Sequence, residues 1–255
     1  MTWKTILAST IGTSHIKSGN LCQDSCYADV IRTVDDQEYL VVLVSDGAGS
    51  AKEGGMGAEL ACKTAIFSIS TSLERESEAI FTEQSVVTWT EDIRNVISDK
   101  AKADGLTVRD FACTFLGAVI GCDQSLFFQI GDGAIVLSVN NVQGVVFWPE
   151  SGEFANMTYF VTDQDALSNL RIQISNMSFK EIAVFTDGIQ RLALSFEQQC
   201  PHPPFFDPMF SVLRKQTPEL CDILSEQLKQ FLNSPAVNAR TDDDKTLVLA
   251  TRLTA

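Results

Sequence analysis

An α+β sandwich, in which antiparallel sheets pack together and are covered by helices, is the fold class this 255-residue chain predicts. Three observations lead there. Apolar patterning gives strands, two helices, a run of strands, two more helices and a last strand, which is not the regular alternation of a parallel βαβ fold. The β-branched run Val41–Val44 suits a buried strand. No repeat, low-complexity tract or Pro/Gly-rich linker divides the chain, so residues 1–255 read as one domain, long enough to bury a real core.

Residues 3–10 alternate loosely and predict a strand leading into a polar loop over 11–25. Strands over Cys26–Val34 and Glu38–Val44 form a hairpin around a turn at Asp35–Asp36. Met56, Leu60, Ala61, Ala65, Ile66 and Ile69 give Gly54–Leu73 a helical face, and Val86, Trp89, Ile93, Val96 and Ile97 do the same for Ser85–Ala103. The acidic link LERESEAIFTE between them reads as a solvated face or loop. From Phe111 to Phe147 strand follows strand, in FACTFLGAVIG, SLFFQIG, GAIVLSV and GVVFW. Turn residues mark 148–176, with strands expected over Thr158–Thr162 and then Ile182–Phe185. Helices are predicted over Pro208–Lys215 and Pro218–Asn233, where Pro218 suits a first helical position. The segment CPHPPFFDP before them reads as a fixed loop packing Phe205 and Phe206, with His202 structural. Thr246–Arg252 is the final strand.

A formal net charge of −14 argues against non-specific nucleic-acid binding, which needs a basic footprint. Seven cysteines without a Cys-x-x-Cys pair fit a reducing cytosol, and Cys62, Cys113 and Cys122 sit in apolar runs as small buried hydrophobes. The N-terminal apolar stretch is too short for a signal peptide, and no apolar run approaches the length needed to span a bilayer. The expectation is a soluble, cytoplasmic protein with no membrane partner.

Acidic residues then recur where strands end. VVLVSDGAGS places Asp46 after a buried run, FFQIGDGAIVL places Asp132 between two such runs, and IAVFTDGIQRL ends on Asp187. RTDDDKTLVLATRL sets Asp242, Asp243 and Asp244 just before a strand, and Asp24 follows Gln23 at the start of another. Singly, each Asp-Gly is an ordinary turn dipeptide. Together, burying that many like charges without a cation would cost several kcal/mol. Carboxylate and backbone oxygen select Mg2+ or Mn2+; Zn2+ would want imidazoles and thiolates. Two such ions sharing an Asp activate a water and neutralise charge on a phosphoryl group in transit. Neither Gly-x-Ser-x-Gly nor a Cys-x5-Arg loop supplies a covalent nucleophile.

With these residues in hand, the sequence resembles the metal-dependent protein phosphatases (the PPM family, type 2C serine/threonine phosphatases), in particular a compact bacterial branch. CQD at 22–24, SDGAGS at 45–50, FACTFLGAVI at 111–120, IGDGA at 130–134, TDGI at 186–189 and DDDKT at 242–246 appear in the family's order across nearly the whole chain. The resemblance implies a central pair of antiparallel sheets flanked by helix pairs, with a binuclear Mn2+ or Mg2+ site at one edge. It implies that Asp46 bridges both ions, that the Gly47 carbonyl completes one shell, and that Asp187 and Asp243 hold one ion. It also implies that Asp24 acts through water and that Asp132 is the ligand of a third, weaker metal.

Three departures stand beside it. Ala48 replaces the His that some members carry after the bridging Asp-Gly as a candidate general acid. The loop before Gln23-Asp24 lacks the family's phosphate-gripping Arg, leaving His15 and Lys17 as substitutes. Arg191 stands where a third-metal Asp often lies, so a third ion should bind weakly or not at all. The implied function is hydrolysis of phosphoserine and phosphothreonine in proteins, with a phosphorylated protein as substrate and a cognate kinase as the natural partner. Two competing readings are a non-catalytic relative that binds a phosphoprotein or regulates a kinase, and a two-metal phosphoesterase of small molecules. Residues 148–178 fall where relatives carry a variable flap that would shape substrate choice.

Overall fold

The computed structural model describes residues 3–75, 80–139, 142–149 and 158–253. In chain order, β1 (Trp3–Thr10) leads into a short helix α1 (Thr13–Ser18) and the hairpin β2 (Asp24–Arg32) and β3 (Glu38–Asp46). The long helices α2 (Gly54–Arg75) and α3 (Glu83–Asp104) follow. Then come β4 (Phe115–Ile120), β5 (Ser125–Ile130), β6 (Ala134–Val139), β7 (Val142–Val145), β8 (Arg171–Ser175) and β9 (Glu181–Phe185). A single turn α4 (Gln190–Ala193) precedes the two-residue strands β10 (Leu194–Ser195) and β11 (Cys200–Pro201). Helices α5 (Pro203–Lys215), α6 (Cys221–Leu232) and α7 (Pro235–Asn238) end at the last strand, β12 (Lys245–Arg252).

The strands build two five-stranded antiparallel sheets, ordered β1-β12-β9-β6-β7 and β2-β3-β4-β5-β8. Strand β3 explains why its sequence is an unbroken apolar run rather than an alternation. Leu40, Val42 and Val44 face the other sheet, packed with Leu116, Ala118, Val248 and Ala250. Tyr39, Val41 and Leu43 face α2 and α3, packed with Ala61, Ala65, Trp89 and Ile93. In β12, Val248 and Ala250 lie between the sheets while Leu247 and Leu249 meet Phe206, Phe210 and Leu228 of α5 and α6. The result is four layers, helices–sheet–sheet–helices, in which each fully buried Leu or Val is worth roughly 1.5–3 kcal/mol. The expected α+β sandwich is what forms.

Register gathers the acidic strand ends at one edge. Thr10 at the end of β1 pairs with Lys245 at the start of β12, and Phe185 at the end of β9 pairs with both Leu247 and Ala134. In the other sheet the first residue of β2, Asp24, is paired with the last of β3, Asp46.

Some local expectations are corrected. The polar loop contains α1, because Ser14 N–H donates to the Asp242 carbonyl at 2.9 Å and Gly19, at φ 75°, closes the turn. Thr158–Thr162 is not a strand: Val161 N–H reaches the Cys113 carbonyl, and Arg94 donates to the carbonyls of Val161 and Asp163, so a side chain pins the segment. Besides the two-residue strands β10 and β11, the missed strand is β8, an edge strand whose RIQIS sequence is half exposed. Helix α5 starts at Pro203, five residues before the expected Pro208, which it carries in its interior; Phe206 and Phe210 are buried on its inner face, so 203–207 is no loop. Met56, Val96 and Cys122 are exposed rather than packed. Residues 76–79 of the acidic link and 150–157 of the flap lie outside the described residues. Among the described residues, no helix is long and apolar enough to cross a membrane.

Candidate metal centre

The edge where the strands end is built by close backbone packing. Gly47 N–H donates to the Gln23 carbonyl at 3.1 Å, and Ala48 N–H to that of Ala112 at 2.9 Å, so the turn after Asp46 is held from both sides. A Cβ on Gly47 would lie 2.3 Å from the Gly54 carbonyl carbon, and one on Gly188 would lie 1.8 Å from the Asp244 carbonyl oxygen. Only glycine lets the Asp46 turn seat on the start of α2 and the Asp187 segment seat on the run before β12.

Four carboxylates meet there. Asp24 Oδ2 accepts hydrogen bonds from Thr186 Oγ1 at 2.9 Å and Thr246 Oγ1 at 2.7 Å, yet burial still pushes its carboxyl up to about 7. Burial likewise raises Asp187 to about 7, reinforced by the charges of Asp132, Asp243 and Asp24. Asp46 is pushed well above the carboxylate range by burial and then by Asp24, Asp187 and Asp243. Asp243 is raised as well, burial again first among the causes. Asp46 is the hub of this mutual repulsion.

Two oxygens test whether cations fit. Asp24 Oδ1 and Asp187 Oδ1 are buried with no hydrogen-bond partner among the described residues. A buried, partnerless carboxylate oxygen is unfavourable unless a cation takes it, and an all-oxygen donor set is what Mg2+ and Mn2+ prefer. Among the described residues, no three acidic, His or Cys side chains are already drawn tightly enough to close on one ion. The carboxylates repel one another, and that repulsion is what a divalent ion would relieve.

The structure thus brings together Asp24, Asp46, Asp187 and Asp243, with the Gly47 turn against them. Asp132 is a charged neighbour of Asp187, but its Oδ2 accepts from Thr158 Oγ1 at 2.6 Å, and its carbonyl accepts from the Gln190 amide. His15 is brought to this edge by a contact between its Nδ1 and Asp244 Oδ2 at 2.9 Å. Lys17 is exposed; two residues along a helix is about 200° around its axis, so it leaves the face His15 occupies. Arg191 is exposed and Ala48 buried. Three residues escaped sequence reasoning: Thr186 and Thr246, the hydroxyls on Asp24, and Asp244, which stood in the same acidic triplet as Asp243. For the two threonines the signal was position, since Thr186 directly precedes Asp187 and Thr246 stands two residues past the triplet.

This geometry has counterparts in known proteins. The sequence model of the protein phosphatase 2C family matches residues 11–233. The serine/threonine-protein phosphatase 3 of Escherichia coli (strain K12) is 46% identical over 253 residues, covering 98% of each chain. Among solved structures, serine/threonine phosphatase Stp1 from Staphylococcus aureus aligns with a TM-score of 0.67 at 13% identity, over 100% of this chain and 96% of that one. The catalytic domain of PstP, solved in complex with 2 manganese ions, aligns with a TM-score of 0.60 at 14% identity over 99% of each chain. At such identities the structural matches speak for the fold alone. The family match and the full-length identity carry the assignment: this chain belongs to the protein phosphatase 2C family.

Proposed function

We propose that the chain hydrolyses phosphoserine and phosphothreonine esters in proteins, using two Mn2+ or Mg2+ ions held by Asp24, Asp46, Gly47, Asp187 and Asp243. The observation that carries this reading is the pair of buried, partnerless oxygens Asp24 Oδ1 and Asp187 Oδ1, on carboxylates whose charges act on Asp46. When bound, the ions would supply Lewis-acid charge for the phosphoryl oxygens and a more acidic water.

The chain's own residues do the rest. Asp46, Asp187 and Asp243 are the catalytic carboxylates, with Asp46 in the central place. Thr186 and Thr246 orient Asp24 by holding one of its oxygens and leaving the other free. His15 and Lys17 are the cations available to a phosphoryl group in the loop before Asp24, with His15 the better placed. Ala48 puts no acid beside Asp46, so water protonates the leaving oxygen. Asp132 is engaged by Thr158 and has Arg191 in place of a second acid, so a third ion binds weakly.

The substrate is a phosphorylated protein, with a cognate serine/threonine kinase as its counterpart, and residues 148–178 select it. We take 1–255 as a single phosphatase domain, in keeping with the family match over 11–233. All seven cysteines are free, which supports a reducing, cytoplasmic setting.

Ala48 is the observation that favours the second reading, a non-catalytic relative that binds phosphoproteins. Turnover of p-nitrophenyl phosphate and of a phosphothreonine peptide, with Mn2+ and with EDTA, separates them. Metal-dependent turnover lost in Asp46→Asn and Asp187→Asn supports the enzyme. Tight metal binding without turnover supports the binding protein, and turnover of small esters alone points to a small-molecule phosphoesterase.

A further inference from the structure

One buried acid at this edge has no part in the scheme above. Asp244 is 2% exposed and accepts three hydrogen bonds from a single loop. Gly12 N–H reaches its Oδ1 at 2.6 Å, Gln23 N–H reaches Oδ2 at 2.6 Å, and His15 Nδ1 lies 2.9 Å from the same Oδ2. The two backbone donors already tie both ends of the loop to the residue that precedes β12. A clamp of that kind needs no imidazole, yet His15 is drawn in until its side chain is only 13% exposed.

The ring lies between two segments of this edge. On one side is Asp244, whose Oδ2 lies 2.9 Å from Nδ1. On the other is the turn after Asp46, where a Cβ on Gly49 would lie 3.9 Å from His15 Nε2. Among the described residues no hydrogen bond is made to Nε2. One ring nitrogen is therefore committed and the other faces the turn that carries Asp46.

We infer that Asp244 is a positioning residue that fixes His15 so that Nε2 donates to a phosphoryl oxygen of the bound substrate. A carboxylate on Nδ1 sets the orientation of an imidazole and leaves Nε2 as the nitrogen that meets the substrate. The ligand's identity rests on the phosphatase reading above; the positioning rests on the contacts of Asp244.

The test is NMR on the full chain loaded with Mg2+ and titrated with inorganic phosphate. The chain has two histidines, so His202→Gln assigns the ring signals of His15. The expected result is that the His15 Nε2 signal moves as phosphate binds. His15→Gln and Asp244→Asn should each weaken phosphate binding about tenfold, as loss of one charged hydrogen bond does, and the double variant should be no weaker than either. Should Asp244→Asn fail to fold, Asp244→Glu is compared in the same way, since it keeps the charge and displaces the ring. A ring signal indifferent to phosphate, or two losses that multiply in the double variant, overturns the inference. A His15 that responds to phosphate in a protein without phosphopeptide turnover sinks the phosphatase reading and leaves this one standing. Normal turnover with an indifferent His15 does the reverse.

Discussion

Asp24 and Asp46 are direct cross-strand partners, the terminal rung of the ladder between β2 and β3. Side chains on such a rung share a face of the sheet about 4.5–5.5 Å apart at Cβ, where two like charges repel. Burying both raises both carboxyls, Asp24 to about 7 and Asp46 well upward. The sheet places an electrostatic liability at the proposed metal centre.

That liability gives a pH dependence with a definite sign. A carboxyl whose folded pKa lies above its unfolded value stabilises the fold below about pH 4, and the contribution is lost as pH rises through the folded value. For Asp24 and Asp187 the window therefore ends near 7. The metal-free protein should melt about 5 °C or more higher at mildly acidic pH than at pH 8, and saturating Mg2+ should remove most of the difference. Differential scanning fluorimetry checks it; a metal-free melting temperature that falls on mild acidification contradicts the electrostatics.

Asp46→Asn should separate stability from activity. It deletes the charge that burial and three neighbouring carboxylates oppose, so the metal-free variant should be more stable than the parent by about 1–2 kcal/mol. Turnover should fall by at least about a thousandfold if, as proposed, Asp46 is the carboxylate the two ions share. Chemical denaturation in EDTA, beside an activity assay in Mn2+, reads both.

Thr186→Val and Thr246→Val each remove one hydroxyl from Asp24 Oδ2 while keeping the shape of the side chain. Losing a group that orients a metal-binding carboxylate costs about 10–100-fold in metal affinity or activity. Isothermal titration with Mn2+ should show that weakening with the fold intact by circular dichroism. Unchanged affinity in both variants would remove Asp24 from the site.

Gly188→Ala should be severe despite its small size. The new methyl would lie 1.8 Å from the Asp244 carbonyl oxygen, a backbone atom that cannot swing aside. Overpacking of this kind costs about 1–3 kcal/mol and displaces Asp187 from Asp243. Urea denaturation and Mn2+ affinity should worsen together.

Much of this was legible in the sequence because burial leaves composition behind. Strand β3 lies between a sheet and two helices, so it had to be apolar throughout, and the Asp that ends it stood out against that run. What could not be read were features set by distant contacts. Strand β8 is a half-exposed edge strand, and α1 exists because the Asp242 carbonyl takes Ser14 N–H from across the chain. Helix α5 was hidden by Pro208, which ordinarily marks a helix start and here is tolerated inside one. At the site, Asp243 and Asp244 differ by one residue in sequence and by role in space. Position along the chain gave no means of telling the carboxylate that meets Asp187 from the one that anchors His15.

In the proposed centre, carboxylates from four separate segments cage a pair of divalent ions around Asp46. Titrating the metal-free chain with Mn2+ by isothermal calorimetry, beside Asp46→Asn, tests it most directly. About two ions per chain are expected in the parent, with both weakened together by the single substitution, as a shared ligand requires. A stoichiometry below one, or two ions bound as tightly by Asp46→Asn as by the parent, would contradict it.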